Sequence, residues 1–162
     1  MRLENLVDRI RCDFTGDSAC NNADIDLLGK EIIAGTNNSD FDLTNDGLVN
    51  LADQDEWRAI SATKNGFAAP YLNGDADLDG SVLVSDLNAV GRNWRGTPDP
   101  WSDGDFNADG IVDAGDLNLL ALNWQQSVPA AAAREAVPEP ASLALLMIAG
   151  IALMIRRVDY AR

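Results

Sequence analysis

The sequence predicts a mainly α protein made of small, duplicated loop–helix units, followed by one C-terminal transmembrane helix. Four twelve-residue segments place acidic or other oxygen-bearing side chains at their first, third, fifth and twelfth positions. Apolar residues at helical spacing follow the loops. A separate uncharged apolar run stands near the carboxyl end. These observations divide the 162-residue chain into a repeat region and a tail.

The two later segments match a calcium-binding loop best. Loop 4, Asp105 to Asp116, has Gly110 at the sixth position, where the backbone must turn into a left-handed conformation. Loop 3, Asp75 to Asp86, keeps the ligand positions and the glycine but has Leu83 at the ninth position, which a water molecule usually serves. We therefore expect both loops to bind metal.

The two earlier segments depart further from that pattern. Loop 2, Asp42 to Asp53, has Thr44 at the third position, so a hydroxyl replaces one carboxylate and we expect weaker binding. Loop 1, Asp13 to Asp24, has Ser18 where a glycine is expected. The left-handed turn would then cost roughly 1 kcal/mol.

The ligand chemistry of these loops favours calcium, up to four ions. A hard cation prefers six to eight oxygen ligands, and the loops offer no imidazole or thiolate for zinc, while magnesium demands a tighter octahedral geometry. The alternative is a set of Asp-rich and Gly-rich turns that bind nothing, but four copies in register argue against it. The predicted ligands, with position seven contributing its backbone carbonyl, are Asp13, Thr15, Asp17, Ala19, Asp24, Asp42, Thr44, Asp46, Leu48, Asp53, Asp75, Asp77, Asp79, Ser81, Asp86, Asp105, Asn107, Asp109, Ile111 and Asp116.

The units form two internal pairs. A shift of thirty residues places Gly104-Asp105 on Gly74-Asp75 and Asn123-Trp124 on Asn93-Trp94, and a shift of twenty-nine places loop 2 on loop 1. We therefore predict one pair over residues 1–64, a second over 70–124, and a linker over 125–136.

Each loop is expected to lead into a helix, whereas the incoming helix is mostly missing and only loop 1 could retain one, formed by Leu3, Leu6, Val7 and Ile10. The segments before loops 3 and 4 are rich in Gly and Pro, which disfavours helix there. Leu87, Val90 and Trp94, like their counterparts Leu117, Leu120 and Trp124, fall on one helix face. The predicted core consists of these faces, the eighth loop residues and the tryptophans, namely Val49, Val82, Val112, Trp57, Trp94, Trp101 and Trp124.

A duplicated loop–helix unit closed by Asp rather than Glu resembles the type I dockerin family, a variant of the EF-hand, over about Asp13 to Trp124. The resemblance implies two calcium ions per pair and a cohesin-like partner that recruits carbohydrate-active enzymes for polysaccharide degradation. It also implies that residues late in each loop and along each helix contact that partner. Val84-Ser85 and Ala114-Gly115 differ between the repeats, which argues against two equivalent binding modes.

The tail combines Val137-Pro138-Glu139-Pro140, an apolar run from Leu143 to Ile155, and Arg156-Arg157. This order resembles the PEP-CTERM signal, over residues 137–162, which implies an exosortase-type protease as partner and a cell-surface or membrane-anchored location outside the cytoplasm. The uncharged stretch is shorter than the roughly twenty residues of a comfortable bilayer span, so a temporary anchor fits better. A buried core helix is the alternative. The arginines after the span predict a cytoplasmic terminus and external loops.

The first residues and the two cysteines leave alternatives open. Met1 to Ile10 is charged and amphipathic and does not resemble a secretion signal, so we expect a piece of a longer exported protein or a start assigned too late. Its apolar residues could form one helix face. Cys12 and Cys20 either close a disulfide around loop 1 or remain as two thiols.

The formal charge of -14 links folding to metal binding, because four calcium ions would bring it to -6. Such acidity argues against a nucleic-acid partner. The chain has no histidine and no apparent nucleophile motif, and its paired carboxylates are assigned to the loops, so we expect no enzyme. The sequence predicts a non-catalytic calcium-binding module of a surface-sorted bacterial protein that contacts another protein or the matrix; the alternative is a docking subunit for a cohesin scaffold.

Overall fold

The computed structural model describes residues 11–96 and 100–132. In this part of the chain the fold is mainly helical, as predicted, with isolated β-bridges but no strand. Every loop leads directly into a helix. The elements are α1 (Asn22–Ala34), α2 (Leu51–Lys64), α3 (Val84–Arg92), a 3-10 helix (Trp101–Asp103) and α4 (Ala114–Leu122).

None of the helices in the described residues combines the length and apolarity that crossing a bilayer requires. The predicted span from Leu143 to Ile155 and the amphipathic segment from Met1 to Ile10 lie outside the described residues.

The helix starts follow from the ninth and twelfth loop residues. Asn21, Asn50 and Asp113, each ninth in its loop, accept a hydrogen bond from the backbone N–H two residues later and cap α1, α2 and α4. The twelfth residue, an aspartate, accepts in return from the N–H of the ninth residue, which completes a capping box. Leu83 gives α3 no side-chain cap. The loop pattern and the helix N-cap pattern are therefore the same residues.

One hydrophobic cluster contains residues of both pairs. The eighth loop residues Val49, Val82 and Val112 are buried as predicted, and so are Trp57 and Trp101. The ring of Trp101 meets the edge of Phe106 at 5.0 Å between centroids. The remaining buried members of the cluster are Cys12, Cys20, Ile25, Leu28, Leu43, Ala76, Val90, Phe106 and Leu120.

Two of the predicted core tryptophans are not buried. Trp94 is 44% exposed and Trp124 is 38% exposed. The prediction extended the helical spacing of α3 and α4 by one turn too many, because these helices end at Arg92 and Leu122. Both tryptophans lie in the turn that follows, and the next residue, Arg95 or Gln125, has a positive φ. Trp94 and Trp124 therefore do not continue the buried face of the preceding helix.

Polar side chains join the first pair to the second. The Asn22 side-chain amide donates to the Ala76 carbonyl at 2.9 Å, and the Gln54 amide donates to the Phe106 carbonyl at 2.9 Å. The two acceptors are the second residues of loops 3 and 4, so α1 and α2 each touch one loop of the other pair. Arg58, which is buried, donates to the Tyr71 carbonyl at 2.6 Å. These bonds fix the start of each later loop against the first pair.

Residues 125–131, which we call the strap, return along loop 3. Gln125 N–H donates to the Val82 carbonyl and Val82 N–H donates to the Gln126 carbonyl, both at 2.9 Å. Further along, Val128 N–H donates to the Gly80 carbonyl at 2.7 Å. The predicted linker began at residue 125 on composition alone, and six of its first seven residues are hydrogen-bonded to residues between Gly66 and Val82.

The two cysteines form a disulfide, which confirms the first of the two alternatives. Cys12 and Cys20 have their Cα atoms 5.4 Å apart and both are buried. The bridge joins the residue before loop 1 to the eighth loop position, where the other loops have valine. A covalent link thus replaces one apolar core contact in loop 1.

Candidate metal centres

The twelfth residue of each loop is a buried aspartate that ties the loop start to the helix start. In loop 3, one carboxylate oxygen of Asp86 accepts from Ala76 N–H at 2.8 Å and Asp77 N–H at 3.4 Å, and the other accepts from Leu83 N–H at 2.7 Å. The same three backbone positions, second, third and ninth, donate to the closing aspartates of the other loops, Asp24, Asp53 and Asp116. The closing carboxylate therefore organises the loop as well as being a predicted ligand.

The fifth residue of each loop holds the seventh. Asp79 accepts from Ser81 N–H at 2.8 Å, and Asp109 accepts from Ile111 N–H at 2.9 Å. Loops 1 and 2 repeat this contact between Asp17 and Ala19 and between Asp46 and Leu48. A calcium loop uses the backbone carbonyl of position seven as a ligand. This hydrogen bond fixes the peptide group on the amino side of that residue.

The loop backbones turn left-handed at two positions, of which sequence analysis found only one. The sixth residue has positive φ in every loop, and Ser18 adopts φ 70° without the help of a glycine. The fourth residue is also left-handed, at φ 52° for Ala108 and φ 57° for Leu78. Loop 1 thus has its glycine, Gly16, at the fourth position, whereas loops 2 to 4 have theirs at the sixth.

The first loop residue differs most between loop 1 and loop 3, whereas Asp42 in loop 2 and Asp105 in loop 4 each accept two backbone hydrogen bonds. Asp13 accepts three backbone hydrogen bonds, from Gly16 at 2.6 Å, Ser18 at 2.9 Å and Asp17 at 3.2 Å. Asp75 in loop 3 accepts one, from Gly80 at 3.0 Å. Its other oxygen, Oδ1, is buried and has no hydrogen-bond partner in the protein. A buried carboxylate oxygen without a donor is compensated either by a proton or by a cation.

In the second pair, the pKa values of the first and twelfth loop aspartates are raised. Burial, followed by the charge of Asp86, raises the pKa of Asp75 to about 7. Burial raises the pKa of Asp105 to about 6. The hydrogen bond from Gly110 opposes this rise, and the charge of Asp116 adds to it. The pKa values of Asp86 and Asp116 are also raised, with burial as the largest cause. The surroundings of these four carboxylates therefore disfavour their charged form.

Loop 1 behaves differently. Although desolvation opposes it, backbone hydrogen bonding by Ser18, Gly16 and Asp17 lowers the pKa of Asp13. The charged form of Asp13 is thus stabilised by the protein itself. Among the loops, loop 1 needs a cation less than loop 3 does.

The structure brings some of the predicted ligands together. Carboxylate oxygens of Asp13, Asp17 and Asp24 lie within 4.8 Å of one another, and so do those of Asp75, Asp77 and Asp86. In the described residues, the aspartates of loops 2 and 4 do not form such a group. Loops 1, 2 and 4 all have a neutral third residue, Thr15, Thr44 or Asn107, which donates to an aspartate of its own loop, so this residue does not by itself decide whether the carboxylates gather. Loop 3 combines gathered carboxylates with the orphaned oxygen of Asp75.

Loop 3 therefore fits a calcium ion on three grounds: an oxygen-only ligand set, a convergent carboxylate group and a buried oxygen without a donor. Asp75, Asp77, Asp79, the Ser81 carbonyl and Asp86 would hold the ion. The unpartnered oxygen of Asp75 could not be predicted from the repeat pattern, since Asp75 and Asp105 occupy equivalent loop positions. The ninth-residue donor to the closing aspartate was foreseeable, because an aspartate three residues after a helix N-cap is a capping-box pattern.

A comparison with protein-family models finds one match, and it lies in the tail. Residues 136–158 match the PEP-CTERM protein-sorting motif. The chain carries a PEP-CTERM motif. This confirms the prediction made from residues 137–162 and indicates an exported, membrane-associated protein that exosortase sorts. No curated protein and no solved structure matches the chain, so the resemblance of the repeats to dockerins stays a prediction.

Proposed function

We propose that the repeat region is a non-catalytic, calcium-binding module carried by an exported protein, which the PEP-CTERM motif directs to the cell surface. The observation that carries the proposal is the buried, unpartnered oxygen of Asp75, beside the carboxylates of Asp77 and Asp86. Burying such a group without compensation is costly, and a hard cation would compensate it with the ligand type that calcium prefers.

The repetition of the loop geometry supports extending the proposal beyond loop 3. All four loops share the hydrogen bonds of the fifth and twelfth residues, so all four present their ligands on the same backbone frame. The differences between loops then become differences in affinity. We rank loop 3 first, because it alone combines the gathered carboxylates with an orphaned oxygen in the described residues.

Calorimetric titration with calcium tests the proposal, using the matched variants Asp77→Ala in loop 3 and Asp40→Ala outside the four loops. We expect calcium binding by the unmodified chain, loss of one site in Asp77→Ala, and unchanged stoichiometry in Asp40→Ala. Magnesium at equal concentration should bind more weakly. Absence of calcium binding by the unmodified chain would refute the proposal.

A binding role toward another protein is the second part of the proposal, and an exposed apolar surface on α3 favours it. Val84 is 74% exposed and Leu87 is 38% exposed, and both line a shallow depression with Ser85, Asn88 and Gly91. Contiguous exposed apolar surface often marks an interaction site. The dockerin resemblance implies a cohesin-like partner for this position.

Co-precipitation with a purified cohesin domain distinguishes that docking role from a matrix or structural role. Val84→Asp should abolish the complex if α3 makes the contact, whereas the matched substitution Ala114→Asp on α4 should leave it intact. Failure of the unmodified chain to bind the cohesin domain would reject the docking role and leave the calcium proposal standing.

A further inference from the structure

Strap residues 125–128 are hydrogen-bonded to residues 80–82 of loop 3. Besides the bonds at Val82 and Gly80, the Ser127 hydroxyl donates to the Ser81 hydroxyl at 2.9 Å. The strap also reaches the segment before loop 3, where Ala68 N–H donates to the Pro129 carbonyl at 2.9 Å and Ala131 N–H donates to the Gly66 carbonyl at 2.7 Å. The Val128 side chain is buried.

These bonds hold Gly80 and Val82, the two neighbours of the predicted ligand Ser81. The seventh loop residue, Ser81, would bind calcium through its backbone carbonyl. The strap holds the Gly80 carbonyl through Val128 and both backbone groups of Val82 through Gln125 and Gln126. The conformation of the ligand peptide and the position of the strap are therefore mechanically linked.

The strap leads toward the sorting motif. It ends at Ala131, five positions before the match to the PEP-CTERM motif begins at residue 136. Seven strap residues span roughly 25 Å when fully extended. Release of the strap would thus add that much chain between the repeats and the motif.

We propose that calcium in loop 3 fastens the strap, so that metal occupancy sets the length of chain available between the repeats and the sorting motif. This inference rests on the proposed calcium binding. An ion that binds loop 3 more tightly when the strap is in place must, by thermodynamic reciprocity, stabilise the strap by the same factor. Processing of the motif would then depend on extracellular calcium.

Amide hydrogen exchange of the full chain, resolved residue by residue, tests the coupling. Calcium should slow exchange at Gln125, Val128 and Ala131 by a factor within the usual allosteric range of about 5–150. The matched variants are Asp79→Ala and Asp109→Ala, because both residues are exposed and hold the seventh residue of their loop in the same way. The protection should persist in Asp109→Ala and disappear in Asp79→Ala.

Calorimetry on the same samples distinguishes a failure of calcium binding from a failure of its coupling to the strap. If loop 3 fills with calcium and the three strap amides exchange as fast as in chelator, the coupling is refuted while calcium binding stands. Equal protection in both variants would also refute the coupling. If no calcium binds, the proposed function fails and the coupling fails with it.

The reverse effect gives a second measurement. Val128→Ala removes buried side-chain contacts from the strap and leaves every loop ligand in place. We expect it to lower the calcium affinity of loop 3 by a factor in the same range and to leave the affinity of loop 4 unchanged. An unchanged affinity of loop 3, in a variant whose strap amides exchange faster, would overturn the inference.

Discussion

Replacing Asp75 by asparagine should stabilise the metal-free protein while destroying a metal site. The carboxylate of Asp75 is fully buried, and one of its oxygens has no donor. The substitution keeps the shape and the acceptor for Gly80 N–H but removes the buried charge. Asp75→Asn should thus raise metal-free stability and lower calcium binding, whereas loss of a residue with a purely structural role would lower stability as well.

The size of the stabilisation follows from the raised pKa of Asp75. A pKa of about 7 against the ordinary value of 3.8 corresponds to a cost of at most about 4 kcal/mol at pH 8, where both states are ionised. The new amide group loses about 1–3 kcal/mol if it finds no acceptor. We therefore expect Asp75→Asn to raise the unfolding free energy in chelator by about 1–3 kcal/mol.

Urea unfolding in chelator at pH 8, followed by tryptophan fluorescence, measures this change. The control is Asp42→Asn, which occupies the same loop position but is only partly buried, so its metal-free stability should change by less than about 0.5 kcal/mol. Calorimetry should show one calcium site lost in Asp75→Asn. A metal-free Asp75→Asn protein less stable than the parent, or an unchanged calcium stoichiometry, would refute the reasoning.

Three further predictions concern protons, the disulfide and the tryptophans. Because the pKa of Asp75 is raised, the metal-free folded state keeps a proton that the unfolded state has lost, so the stability of the metal-free protein should fall as pH rises from about 4 to about 7. Calcium binding at pH 6 should release about one proton from Asp75. Calorimetry in two buffers of different ionisation enthalpy measures this release. Replacing Cys12 and Cys20 together by alanine should lower the unfolding free energy by about 2–3 kcal/mol in urea titrations, since the bridge closes a short loop. Trp57→Ala should cost about 3–5 kcal/mol and Trp94→Ala about 1 kcal/mol or less, because only the first side chain is fully buried.

Each of these three predictions would be contradicted by a specific result. Calcium enthalpies that do not depend on the buffer at pH 6 would show that the loop carboxylates are already ionised. Equal stability of the parent and the double cysteine variant, both under oxidising conditions, would mean that the bridge constrains nothing in the unfolded chain. Similar losses for the two tryptophan variants would contradict the burial described for them.

The loop–helix units and most of the core were predictable, because they depend on local patterns. An aspartate at the end of each loop is also the third residue of the following helix, so one pattern indicated both. The buried valines at the eighth position followed from the repeat itself. The sorting motif in the tail was also predictable from a local pattern, and the family match at residues 136–158 confirms it.

What sequence analysis missed depends on contacts between distant residues. The burial of Trp94 was predicted wrongly because α3 ends at Arg92 and the chain turns at Arg95, whose N–H donates to the Val112 carbonyl in loop 4. The orphaned oxygen of Asp75 depends on how many backbone donors reach it, which the repeat pattern does not encode. The strap was unforeseeable for the same reason, since its composition resembles that of a linker.

The central claim is that the repeats bind calcium, and a calcium titration of the chain with circular dichroism and calorimetry tests it most directly. We predict that calcium alone saturates the chain near four ions, with loop 3 filling first and magnesium failing to substitute. Identical circular dichroism in chelator and in calcium, with no heat of binding, would contradict the account and leave the loops as structural turns.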